Sequence, residues 1–196
     1  MSQQSNRDYQ PASHSHPRFV NSHPASPAQS GDQWFYYFAY GSCMCPVDLK
    51  RSLGESTHPY VIGHATLRGY RLGFFRRSLF RNCGVLDVVP DPQASVEGVL
   101  YRLPMRLSDR LDQREEGYCH ELVTVHQGDR SFANVRTYTV IEKTTEEHAP
   151  NDWYFGVVMR GAATCGLPEP YCWQLFYHMQ QLQQRRVASP MQSAQR

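Results

Sequence analysis

Apolar and polar positions divide the 196-residue chain into three stretches. Residues 1–33 are rich in Ser, Gln, Pro, His and Asn and offer little to bury, so an ordered state would not offset its entropy cost; a disordered tail is expected. From 34 to 184 apolar residues become dense, and 185–196 read as a second flexible tail. The run Trp34-Phe35-Tyr36-Tyr37-Phe38-Ala39-Tyr40 stops at Gly41-Ser42. An unbroken apolar run of that length, bounded by glycine, predicts a strand buried on both faces. Further strands are predicted over 60–67, 70–75, 83–89 and 96–102, punctuated by Gly69 and Pro90-Asp91-Pro92. The stretch 108–116 is charged, with leucines at 107 and 111, and predicts a short helix opened by Ser108 and Asp109. Segments 121–127 and 134–141 alternate like a hairpin around Gly128-Asp129, and 170–185 reads as a helix. Before it, 158–162 and 166–171 read as a loop, with Pro168 and Pro170 near the helix's first turn. Many short strands with two or three short helices imply an α+β domain whose mixed sheet is barrel-like.

Composition narrows the partners. Lys and Arg exceed Asp and Glu by only two charges, so no strong field draws the chain to nucleic acid or an anionic membrane. Arg76-Arg77 and Arg81 form the one basic cluster, which reads as a solvated patch. No apolar run reaches about 18 residues, so no membrane span is expected. The start lacks a charged-then-apolar leader pattern, and a cytoplasmic location is expected. Six cysteines (Cys43, Cys45, Cys83, Cys119, Cys165, Cys172) lack zinc-type pairing and read as reduced thiols. The irregular spacing of His14, His16 and His23 argues against a metal tract.

Three segments carry candidate chemistry. Tyr40-Gly41-Ser42-Cys43-Met44 ends the aromatic strand, where glycine permits a sharp turn and successive N–H groups can face a negative oxygen. Alone it is also an ordinary strand exit. The second segment is Leu111-Asp112-Gln113-Arg114-Glu115-Glu116-Gly117-Tyr118, which alone is also a solvated helix end closed by glycine. The third joins Val158-Met159-Arg160-Gly161-Ala162 to Gly166-Leu167-Pro168-Glu169-Pro170-Tyr171.

Taken in order, the aromatic strand ending Y-G-S, the strand Gly98-Val99-Leu100-Tyr101-Arg102-Leu103, the L-D-x-x-E segment and the G-L-P-x-x-Y segment resemble the γ-glutamylcyclotransferase-like (AIG2-like) family over 35–182. The resemblance implies that family's mixed α/β barrel, with a pocket at one mouth and no cofactor or metal. Tyr40, Gly41, Ser42, Cys43 and Met44 would form the loop that grips a small γ-glutamyl substrate, and Glu115 would be the acid/base. Its reaction would cyclise the γ-glutamyl group to 5-oxoproline and release an amine, leaving open whether the leaving group is an amino acid, cysteinylglycine or a free amine. Spacing from Leu111-Asp112 selects Glu115 over Glu116, although the family's usual pattern places glycine directly after the glutamate. A second departure is Cys43, where the family's loop usually carries Asn; a thiol is a weaker donor and acceptor than an amide. Arg160 is a candidate for steadying a substrate carboxylate, and Tyr118 and Tyr154 for lining the pocket. The rival reading is a binding or regulatory module on the same fold, favoured by Cys43 and by the position of Gly117.

Overall fold

A computed structural model of the chain describes residues 33–188. The elements are β1 (Trp34–Ala39), a 3-10 turn (Ser42–Met44), α1 (Pro46–Leu53), a second 3-10 turn (His58–Tyr60), β2 (Val61–Ser78) and β3 (Cys83–Pro104). A third 3-10 turn (Met105–Leu107) leads into α2 (Ser108–Arg114), followed by β4 (Tyr118–Gln127), β5 (Arg130–Val140), α3 (Asp152–Thr164) and α4 (Glu169–Ala188). The five strands close into a barrel in the order β1-β3-β2-β4-β5. Closure comes from a parallel pairing of β1 with β5 at Tyr37 and Arg136. All other pairings are antiparallel.

The aromatic run is a strand with Tyr37, Phe38 and Ala39 all buried, as an unbroken apolar pattern requires. Phe38, Phe74, Leu86, Leu100, Tyr101 and Leu103 are among the fully buried side chains that fill the core. The 4 separately expected strands over 60–102 are two long ones. Gly69 marks a register shift in β2 rather than a break. Opposite it, Arg68 pairs with Ser95 and Tyr70 with Pro90, so residues 91–94 bulge out of the ladder. Pro92 thus sits where no ladder hydrogen bond is required. The hairpin around Gly128-Asp129 forms as expected, with Gln127 opposite Arg130.

Two helices depart from the sequence reading. Residues 158–162 lie inside α3 rather than in a loop. Asn151 caps that helix, its side chain accepting from the Tyr154 N–H at 2.9 Å; Gly156, Gly161 and two valines weaken the helical propensity of the segment behind it. α1 was also unforeseen, although Pro46 opens it and Gly54, in the left-handed region at φ 77°, closes it. α4 continues to Ala188, past the boundary expected at 185. The remainder of both expected tails, 1–32 and 189–196, lies outside the described residues.

Candidate active site

The chain leaves β1 through Tyr40 and Gly41 and winds into the Ser42–Met44 turn before α1. Within that turn, the Met44 N–H donates to the Gly41 carbonyl at 3.0 Å and the Cys45 N–H to the Ser42 carbonyl at 3.2 Å. The N–H groups of Ser42 and Cys43 come first in the turn and have no acceptor inside it, the usual condition of a helical N-terminus. Two contacts fix the loop from behind. Tyr101, fully buried in β3, places its hydroxyl 3.1 Å from the carbonyl oxygens of both Cys43 and Met44. Gly161 of α3 lies so close that a Cβ there would sit 2.6 Å from the Cys45 nitrogen and 2.8 Å from Met44. The close spacing of helix and loop therefore depends on glycine at 161, an assignment that a loop reading of 158–162 could not make.

Glu115 arrives from the opposite side of the sequence. It terminates α2, where its N–H donates to the carbonyls of Leu111 and Asp112. Its Oε1 accepts a hydrogen bond of 2.9 Å from the Cys43 thiol. Next to it, Arg114 is buried and its side chain spans three elements. Nε donates to Cys43 Sγ at 2.9 Å, Nη2 to Asp48 Oδ2 at 2.5 Å and to Ser42 Oγ at 3.3 Å, and Nη1 to Ser52. Burial works against the Arg114 charge, but Cys43, Glu115 and Asp48 more than offset it. The Cys43 thiol is pushed up to about 12 by burial, with Arg114 pulling it down and Glu115 pushing it further up. Cys43 is therefore a neutral donor to Glu115 at neutral pH, not a thiolate.

Tyr37, Tyr40, Gly41, Ser42, Cys43, Arg81, Leu86, Glu115, Tyr118, Tyr138 and Tyr154 line one cleft. Burial, as the largest cause, pushes the phenols of Tyr37, Tyr40, Tyr118, Tyr138 and Tyr154 above their ordinary range. They therefore act as uncharged hydroxyls. Tyr118 donates to the Leu86 carbonyl at 2.9 Å, and Tyr154 accepts from the Leu86 N–H at 3.0 Å. At Gly41 the backbone keeps a negative φ of −122°, so glycine supplies room there rather than a left-handed turn. A Cβ would lie 3.2 Å from the Tyr154 hydroxyl.

The structure thus brings Tyr40, Gly41, Ser42, Cys43 and Glu115 to one cleft, with Tyr118 and Tyr154 beside them. Met44 belongs to the same turn, but it is fully buried and does not line the cleft. Arg160 is exposed on α3, away from the cleft lining. Glu116 is exposed, and its carbonyl accepts from Arg76 at 2.6 Å. Arg114 was not singled out from the sequence, yet Leu107, Leu111 and Arg114 fall on one helical face, and an arginine on a buried stripe demands a counter-charge.

Residues 95–175 match the AIG2-like family. A relative, YkqA of Bacillus subtilis (strain 168), a candidate γ-glutamylcyclotransferase by name, is 32% identical over 151 residues, which cover 75% of this chain and 53% of that protein. This chain resembles the AIG2-like family. The YkqA crystal structure superposes on this chain with a TM-score of 0.69 at 30% identity, covering 76% of this chain and 55% of YkqA. The chain therefore spans about half the length of YkqA. A γ-glutamyl cyclotransferase structure matches with a TM-score of 0.65 at 23% identity, covering 73% of this chain and 86% of that one. An uncharacterised human protein, LOC79017, matches at 0.64 and 24%, covering 72% and 86%. At those identities the last two show the shared fold, the barrel that carries the cleft. No helix among the described residues is long and apolar enough to cross a membrane.

Proposed function

We propose that the protein cyclises the γ-glutamyl group of a small γ-glutamyl peptide or amine to 5-oxoproline, with Glu115 as acid/base. The observation that carries the proposal is the meeting of Glu115 and the Tyr40–Cys43 loop, more than 70 residues apart in the chain, in one cleft of a fold shared with a γ-glutamyl cyclotransferase.

In this reading the substrate's α-amino group attacks its own γ-carbonyl carbon. The attacking nitrogen is protonated at neutral pH, so a carboxylate must first take a proton from it; Glu115 does so. A C–N bond then forms, and the carbonyl oxygen becomes an oxyanion. The N–H groups of Ser42 and Cys43, which have no acceptor inside the turn, supply donors for that oxygen or for the substrate carboxylate, and a donor of this kind contributes roughly 10²–10³ in rate. Collapse of the intermediate breaks the original amide C–N bond; Glu115 returns its proton to the departing nitrogen, and the ring nitrogen gives up its second proton to the released amine, which leaves as an ammonium. The cleft's tyrosine hydroxyls hold the flexible γ-glutamyl chain in its folded, reactive form.

The supporting experiment is 5-oxoproline release from γ-glutamyl dipeptides, glutathione and γ-glutamylamines by the purified chain. Release from at least one substrate class is expected. The rival, a binding module without turnover, draws on one observation: Glu115 is already engaged by the Cys43 thiol. It predicts saturable binding of a γ-glutamyl compound with no release, and that result would replace the proposal.

A further inference from the structure

Among the described residues, the cleft lining contains one cationic side chain, Arg81. Its backbone is tied down on both sides. The Arg81 N–H donates to Ser78 Oγ at 3.2 Å, and its carbonyl accepts from Asn151 Nδ2 at 2.9 Å, the same asparagine whose Oδ1 caps α3. The guanidinium stacks over the rings of Trp153 and Tyr154, each 5.9 Å from its centroid. It forms no ion pair with Glu115, the other charged residue of the cleft, and Nε is buried without a hydrogen-bond partner. A buried donor left unmade is costly, and a planar guanidinium fork is suited to a carboxylate. The residues just before it, Leu79 and Phe80, are 90% and 98% exposed, so this hairpin tip stands at the solvent side of the cleft.

Resting on the cyclisation reading, we propose that Arg81 binds a carboxylate on the leaving group and is the residue that selects leaving groups carrying one over those that do not. In that reading the γ-glutamyl unit has its partners already: its amine meets Glu115, and its oxygens the Ser42 and Cys43 N–H groups. The leaving nitrogen's substituent is the part of the substrate still without a charged partner, and Arg81 is the cleft's remaining charged group, stacked on two rings but in no ion pair. A free carboxylate on the carbon next to that nitrogen reaches the fork; an alkylamine offers it nothing.

The test compares γ-glutamylalanine with γ-glutamylethylamide, which differ only by that carboxylate, on the wild-type chain, Arg81→Gln and Arg81→Lys. For γ-glutamylalanine, kcat/KM is expected to fall about 10- to 100-fold in Arg81→Gln, the worth of a charge-assisted hydrogen-bonded pair, and less in Arg81→Lys. For the ethylamide it stays within about threefold. An equal loss on both substrates would assign Arg81 to the γ-glutamyl α-carboxylate and overturn the proposal; so would no loss on either. If the wild type releases no 5-oxoproline at all, the cyclisation reading falls, and calorimetric titration of the same two compounds decides the Arg81 site separately. Tighter binding of γ-glutamylalanine that Arg81→Gln abolishes supports the site, whereas equal or absent binding of the two compounds removes it.

Discussion

Arg114 is where stability and the cleft meet, and its removal has a magnitude that the structure sets. Its side chain is 7% exposed and that of Asp48 is 8% exposed, with 2.5 Å between Nη2 and Oδ2. Arg114→Met leaves the Asp48 carboxylate buried and uncompensated, and breaking a buried pair from one side costs about 3–5 kcal/mol. Ser42, Ser52 and Cys43 lose a donor in the same step. With a urea m-value of about 2 kcal/mol/M, the midpoint falls by roughly 1.5–2.5 M. The double variant Arg114→Met/Asp48→Leu removes both charges and puts apolar volume in their place, an exchange that is often close to neutral. It should recover much of the loss, with a coupling of about 2–3 kcal/mol in the double-mutant cycle. Urea unfolding of the four proteins, monitored by far-ultraviolet circular dichroism, measures this. A single-variant cost below about 1 kcal/mol, or additive effects in the cycle, would refute the argument that this pair pins the binding loop to α1 and α2.

Tyr101→Phe removes the hydroxyl that serves two buried loop carbonyls, and is expected to lower unfolding stability by about 1–3 kcal/mol in the same assay. A cost under roughly 0.5 kcal/mol would mean that the loop does not depend on it. Cys43, pushed up to about 12 from an ordinary 9.0, stays a thiol in the fold, so iodoacetamide at pH 8 should label exposed Cys119 well before Cys43 by mass spectrometry. Because its folded pKa lies above the unfolded one, the associated stability is complete below about pH 9 and drains as pH rises through 12; Cys43→Ser should flatten that decline, and an unchanged profile would contradict it.

The legible parts of the fold were those whose pattern depends on near neighbours in the chain. The aromatic strand and the hairpin at Gly128-Asp129 follow from short-range burial and turn chemistry. The joined strands β2 and β3 were not legible, because Gly69 and Pro90-Asp91-Pro92 look like breaks until the two strands are seen to absorb them in one bulge. For the candidate site, order of motifs brought Glu115 and the Tyr40–Cys43 loop to attention, but the thiol-to-carboxylate contact lies across 72 positions and no local pattern encodes it. Arg81 read as a member of a solvated basic patch. Only the return of the hairpin tip onto α3 makes it a cleft residue, since its stacking partners are more than 70 positions away. Arg114 could have been found from its helical face, and Asp48 could not, because α1 was itself unforeseen.

The most direct measurement compares 5-oxoproline release by the wild-type chain, Glu115→Gln and Glu116→Gln on the substrate that the wild type handles best, with folding checked by circular dichroism. Loss of the acid/base is expected to reduce kcat about 10²- to 10⁴-fold in Glu115→Gln, while Glu116→Gln keeps wild-type rates. Full activity in Glu115→Gln, or its loss in Glu116→Gln alone, would contradict the assignment of Glu115 as the group that moves the proton.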